Sequence, residues 1–280
     1  MLGAITGDTI GSRFEFSGIK HTEFDLFDPR CRYTDDSVMT MAVAEWLMDD
    51  PTHSYKVLEQ KMVKYGNMNP KCGFGVKFFS WLFMPERFNE DGIRRPYNSC
   101  GNGSAMRVSA VGWIFDTLEK TECVAEISAS ITHNHPEGIK GAQASTAAIF
   151  MARNGKNKKE IKDYITSKYG YDLSHKLDDI RPRYGFNETC QGSVPEAIIA
   201  FLESHDYEST IRLAISLGGD SDTQACIAGG IAEAFYGMPD EIITQIASYL
   251  PPDYKANIIR FGEVSAYSCH LEQIKRCWNL

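Results

Sequence analysis

The chain has 280 residues, 43% of them hydrophobic, and a formal net charge of −8. The apolar content supports one large domain or two smaller ones, and no apolar run reaches transmembrane length, so the expectation is a soluble protein without a membrane partner. The acidic balance argues against a general binder of nucleic-acid backbones, although a local basic pocket would be hidden in the sum. Met1-Leu2-Gly3-Ala4-Ile5-Thr6-Gly7-Asp8 lacks the basic region of an export signal. The eight cysteines are scattered, without C-x-x-C or zinc-type spacing, which predicts reduced, partly buried thiols in a cytoplasmic protein.

In chain order, Gly3, Gly7 and Gly11 recur every fourth residue, which on a helix places them on one face and lets another backbone come close. Close packing does not explain Asp8 inside that run, nor Glu15 between Phe14 and Phe16, which reads equally as a surface acid or as a carboxylate in a partly apolar site. Arg32-Tyr33-Thr34-Asp35-Asp36-Ser37 then opens a segment that is apolar nearly all round as far as Met48, a buried helix ended by Pro51. Residues 54–66 have mixed helical spacing, and the aromatic-rich stretch 66–97 reads as a short helix with loops. Asn98-Ser99-Cys100-Gly101-Asn102-Gly103-Ser104 leads into a helix over Val108–Phe115. Such a loop is either an ordinary glycine turn or a seat for phosphate on free backbone N–H groups.

Residues 122–132 look helical and stop at Thr132-His133-Asn134-His135-Pro136, after which a small-residue helix runs to Phe150. The His-x-His pair is either two loop histidines or a ligand-binding pair. Residues 153–162 are basic and read as a solvated face or loop, and the segment to Arg183 as irregular. A capped helix with Pro195 in its first turn spans Gly192–Leu202, and another over Ile211–Leu217 delivers the chain to Gly218-Gly219-Asp220-Ser221-Asp222-Thr223 and a run of small apolar residues to Gly237. A last helix spans about 240–249, with a modestly structured tail after Pro251-Pro252. No strand alternation stands out, so the fold class is all-α with close helix crossings.

Thr34-Asp35-Asp36 and Asp220-Ser221-Asp222-Thr223 pose the same question. Each is compatible with a helix cap, yet each crowds two carboxylates and at least one hydroxyl where a cap needs one group. If those helix ends meet, the carboxylates would repel one another unless hard cations sat between them. Two-metal sites hold such cations about 3.5–4 Å apart.

These motifs together resemble the ADP-ribosylglycohydrolase family, which includes the dinitrogenase reductase-activating glycohydrolase. The matching residues are Gly7-Asp8 with Glu15, Thr34-Asp35-Asp36-Ser37, Gly101-Asn102-Gly103-Ser104-Ala105-Met106-Arg107, Thr132-His133-Asn134-His135-Pro136 and Gly219-Asp220-Ser221-Asp222-Thr223. The resemblance implies a compact multi-helix bundle forming a single catalytic domain over 1–280. It implies two Mg2+ or Mn2+ ions held by Thr34, Asp35, Asp36, Asp220, Asp222 and Thr223, and hydrolysis of the glycosidic bond of ADP-ribose in a protein or small-molecule conjugate. By the same analogy Ser99, Gly101, Asn102 and Gly103 would meet the diphosphate, with His133 and His135 on the substrate side. Glu15, Asp35 and Asp222 are the catalytic candidates, Glu15 or a ligating Asp taking the proton of the attacking water or assisting the leaving group. By the same resemblance the segment Cys190–Ile198, with Gln191 and Ser193, stands where other members carry an aromatic that can pack on the ligand, so the adenine and ribose contacts of those members are not carried over. The competing readings are a two-metal phosphoester hydrolase and a non-catalytic ADP-ribose-binding or structural relative.

Overall fold

The computed structural model describes residues 1–280. Its helices are α1 (Leu2–Gly11), α2 (Asp35–Asp49), α3 (Tyr55–Met68), α4 (Val76–Phe83), α5 (Val111–Ile114), α6 (Leu118–Ser130), α7 (Pro136–Arg153), α8 (Lys158–Tyr169), α9 (Leu177–Ile180), α10 (Cys190–Glu203), α11 (Tyr207–Ile215), α12 (Ser221–Tyr236), α13 (Asp240–Ile246), α14 (Pro252–Glu263) and α15 (Leu271–Trp278). There is no strand, only isolated bridges pairing Phe88 with Arg94 and Gly101 with Thr189. The expected all-α architecture is the one observed. No helix is long and apolar enough to cross a membrane, and all eight cysteines are free thiols.

The small-residue faces do what their spacing predicts. A Cβ on Gly7 would fall 2.0 Å from the carbonyl oxygen of Ala225, and one on Gly11 would fall 2.6 Å from that of Ser221. Helices α1 and α12 therefore cross backbone against backbone, which only glycine permits at these positions. The crossing sets the N-terminus of α12 beside the C-terminal half of α1. Helix α2, buried continuously from Asp36 to Leu47, lies beside them. One core of 71 buried residues runs through the molecule, from Leu2 and Ile5 to Ile274 and Trp278.

Gly218 makes the reversal between α11 and α12 with φ +62°, a left-handed conformation that favours glycine. The loop after α1 is pinned there: a Cβ on Gly18 would fall 2.7 Å from the carbonyl oxygen of Gly218, and Lys20 donates to the carbonyls of Leu217 and Tyr184. Glu15 rides on this loop.

Several sequence expectations are corrected. Residues 158–169 form α8, a helix with an Asn157–Glu160 capping box, instead of a loop. Helix α10 begins at Cys190 with no side-chain cap, so Pro195 lies inside it and not in its first turn. The expected helix over 108–115 shrinks to one turn, α5. The tail is not loosely structured: α14 and α15 bury Tyr254, Ile258, Phe261, Ile274 and Trp278 in the common core.

Candidate metal centre and ligand site

The first turn of α2 is capped from outside its own segment. Thr34, at its N-cap, makes no side-chain cap bond. Asp8, fully buried on α1, accepts instead from the backbone N–H of Thr34 at 2.9 Å and of Ser37 at 3.0 Å, and from both hydroxyls. Asp8 thus caps the Ser37 N–H from α1, while Asp35 N–H donates to the carbonyl of Cys72 at 3.1 Å. The start of α12 is similar, since Asp220 at its N-cap makes no side-chain cap bond either. Asp222 Oδ1 accepts from the backbone N–H of Thr223 at 2.9 Å, so each cluster holds more carboxylates than its helix start engages.

These carboxylates converge. Oxygens of Asp8, Asp36 and Asp222 lie within 4.8 Å of one another, as do oxygens of Glu15, Asp220 and Asp222. The two triads share Asp222. Oδ1 of Asp36 is buried without any hydrogen-bond partner, while Oδ2 accepts from the Thr223 hydroxyl at 3.3 Å. Burial, and then repulsion from Asp8 and Asp222, pushes Asp36 well above the usual carboxylate range. Burial and then the charge of Asp220 raise Asp222 strongly, and burial and then the charge of Asp222 do the same to Asp35. Asp220 is pushed up to about 6 by burial, with hydrogen bonds from Asp222 and Asn102 opposing the rise. Glu15 is raised to about 8, by burial first and then by the charge of Asp222, with Arg32 opposing. An orphaned acceptor amid mutually repelling carboxylates has the chemistry of a hard divalent-cation site, and the donor set fits that group. Asp35, half-buried on the same turn of α2, joins neither triad.

A second cluster abuts this cage. Asn102 donates from Nδ2 to Asp220 at 2.7 Å and to the Ser193 hydroxyl at 3.2 Å, linking the glycine-rich loop to the start of α12. The loop is held by α10's entry strand of chain, Asn102 N–H donating to Glu188 at 2.8 Å and Cys190 N–H to Cys100 at 2.9 Å. Ser99 accepts from Gly101 N–H at 3.0 Å. His133 faces the loop: Cβ atoms on Gly103 and Gly101 would lie 3.1 and 3.5 Å from its Nε2.

The ring of His133 is tied through Thr132 to a buried arginine. Buried Arg107 donates to the Thr132 hydroxyl at 2.9 Å, and that hydroxyl lies 2.7 Å from His133 Nδ1. This contact engages Nδ1 and fixes the ring with Nε2 toward the glycine-rich loop. Burial, and secondarily Arg107, holds the His133 pKa well below its ordinary value, which keeps the ring neutral. His135 is placed differently: its Nδ1 accepts from Glu137 N–H at 3.1 Å and caps α7.

Residues far apart in sequence therefore meet, with Thr34, Asp36, Asp220, Asp222, Thr223 and Glu15 close together and Ser99, Gly101, Asn102, Gly103 and His133 beside them. The predicted site omitted Asp8, whose signal was an acid in a run otherwise explained by packing, and Arg107, which acts through Thr132.

A profile of the ADP-ribosylglycohydrolase family matches residues 1–263. The chain belongs to the ADP-ribosylglycohydrolase family. Among its relatives is the ADP-ribosylhydrolase ARH3 of Mus musculus, 26% identical over an alignment covering 85% of this chain and 83% of the relative. Another is the ADP-ribosylarginine hydrolase Tri1 of Pseudomonas putida, 24% identical over 88% of this chain and 73% of the relative. A solved structure titled "ADP-ribosylglycohydrolase-related protein complex" superposes with a TM-score of 0.67 over 99% of this chain and 95% of its own, at 18% identity. At that identity the likeness concerns the fold. Family membership supports hydrolysis at the glycosidic bond of ADP-ribose in an ADP-ribosylated substrate.

Proposed function

We propose that residues 1–280 act as one catalytic domain, a metal-dependent hydrolase that releases ADP-ribose from an N- or O-linked protein or small-molecule conjugate. The observation that carries this reading is the pair of carboxylate triads sharing Asp222 around the unpartnered Oδ1 of Asp36. Thr34, Asp35, Asp36, Asp220, Asp222 and Thr223 would hold two Mg2+ or Mn2+ ions, with Asp8 beside them. Bound there, the ions would offset the carboxylate charge and supply Lewis acidity toward ribose and water oxygens.

The chain's own groups do the rest. Glu15, raised to about 8, is a general acid–base candidate in reach of the shared carboxylate Asp222, suited to receiving a proton from water or giving one to the leaving group. Asp35 and Asp222 place negative charge near the oxocarbenium-like anomeric carbon of the transition state. The loop Ser99–Gly103 seats the diphosphate, and the neutral ring of His133, held by Thr132 and Arg107, turns Nε2 toward it. His135 contributes as a substrate-side neighbour through the cap it gives α7. A cytoplasmic location accords with the free thiols.

The test is a panel of ADP-ribosyl-arginine, ADP-ribosyl-serine and a nucleotide phosphoester, each incubated with Mg2+ and with chelator. Metal-dependent appearance of ADP-ribose from at least one ADP-ribosyl substrate is expected. Release of inorganic phosphate with no ADP-ribose would instead assign the centre to phosphoester hydrolysis.

A further inference from the structure

A cavity of about 530 Å³ opens between α7, α10 and the segment leading into α9. It is separate from the metal cage. The phenol of Tyr184 stands between them, raised by burial and then by the charges of Glu196 on one side and Asp220 on the other, and its hydroxyl is engaged by Gly192 and Gln224. Pro195, Ile180 and Ile199 give the cavity apolar walls.

Its polar groups are unevenly matched. Lys140 pairs with Glu137 at 2.9 Å and stacks over the ring of Tyr171 at 4.6 Å. His175 faces Asp172 at 3.1 Å. Glu196 has no ion-pair partner, and its Oε2 is buried without a hydrogen bond. The hydroxyl of Tyr171, a residue only 4% exposed, is likewise buried and unpartnered. An acceptor left in this state costs stability unless something else satisfies it.

We propose that this cavity is a second binding site, for an organic cation bearing N–H donors, an alkylammonium or guanidinium group, received by Glu196 and Tyr171. Lys140 is matched by Glu137, whereas Glu196 has no cationic partner, so the complementary ligand carries a local positive charge. Its N–H groups would donate to Oε2 of Glu196 and to the Tyr171 oxygen, while its carbon stem lies on Pro195 and Ile199. The source is a free polyamine or a basic side chain of a macromolecular substrate held beside the catalytic centre. The site does not depend on what the metal cage hydrolyses.

Calorimetric titration of the intact protein with agmatine tests the proposal. Saturable binding is expected, weakened about tenfold or more by Glu196→Gln and several-fold by Tyr171→Phe. Asp222→Ala should leave it unchanged, which separates this cavity from the acidic cage. Because Glu196→Gln removes an orphaned carboxylate, its melting temperature should equal or exceed the wild type's, showing that lost binding is not lost folding. Spermidine binding as tightly as agmatine would name a free polyamine as the source. Tighter binding of an arginine-containing peptide would name a side chain. Equal affinity in wild type and Glu196→Gln, or no saturable binding at millimolar concentration, would overturn the proposal.

Discussion

Asp8 and Asp36 are both buried acids of one cage, yet their surroundings demand opposite responses to mutation. Asp8 accepts four hydrogen bonds from Thr34 and Ser37, so Asp8→Ala leaves two backbone donors unpaired and should cost about 2–3 kcal/mol in chelated protein. Asp36 has an oxygen with no partner, so Asp36→Asn should relieve repulsion and stabilise the chelated protein by about 1 kcal/mol. Urea unfolding in chelator measures both, and equal signs would refute the division of labour. In the presence of Mg2+ or Mn2+ the order should change, because wild type gains stability from binding that Asp36→Asn forfeits. Sequence reveals the crowding of these acids but not this division. Thr34-Asp35-Asp36 and Asp220-Ser221-Asp222 read equally as caps until a third residue, Asp8, is seen capping α2 across 26 positions.

Among the elements, α1 and α12 were the most legible, since glycine every fourth residue has few physical explanations besides close contact. Gly7→Ala would force a Cβ to 2.0 Å from a backbone oxygen, and overpacking of this kind costs about 1–3 kcal/mol or more. Because the displaced helix carries Asp8, the variant should also bind Mn2+ more weakly, which equilibrium dialysis would show. The α2–α3 contact offers a pH test. Burial alone would raise Glu45, but hydrogen bonds from Lys61, Lys64 and Tyr65 outweigh it and bring it down to about 2. A depressed carboxylate stabilises the fold above its unfolded pKa of about 4.3, and that stability is lost as pH falls through the folded value. The stability gap between wild type and Glu45→Gln, about 1–2 kcal/mol near neutrality, should therefore close between roughly pH 4.5 and 2. A constant gap in unfolding free energy across that window would contradict the ion-pair assignment. Helices α8 and α15 escaped sequence reading for a physical reason. Each has three buried anchors, Ile161, Ile165 and Tyr169 in α8 and Leu271, Ile274 and Trp278 in α15, on otherwise polar segments. Such short helices gain their stability from tertiary packing and not from their own propensity.

At the scale of the whole molecule, the fold serves to bring residue 8, residues 34–36 and residues 220–223 to one point. The crossing of α1 on α12 does most of this, and the Gly218 turn, pinned by Gly18 and Lys20, adds Glu15. The glycine-rich loop joins through Asn102. Fold class and the nearness of the acidic clusters were thus readable from motif order, whereas the place of Asp8 between them, the capping role of His135 and the Arg107–Thr132–His133 contacts were not, because each depends on side-chain direction. The central claim is that the shared carboxylate Asp222 makes one functional centre of the two triads. Its most direct test titrates Mn2+ into metal-free protein while recording bound metal and ADP-ribose released from the substrate that wild type cleaves. Release should rise with metal occupancy in wild type and be absent in Asp222→Ala at every occupancy, with the helical fold retained. Full release from metal-free wild type, or undiminished release from Asp222→Ala, would contradict the account.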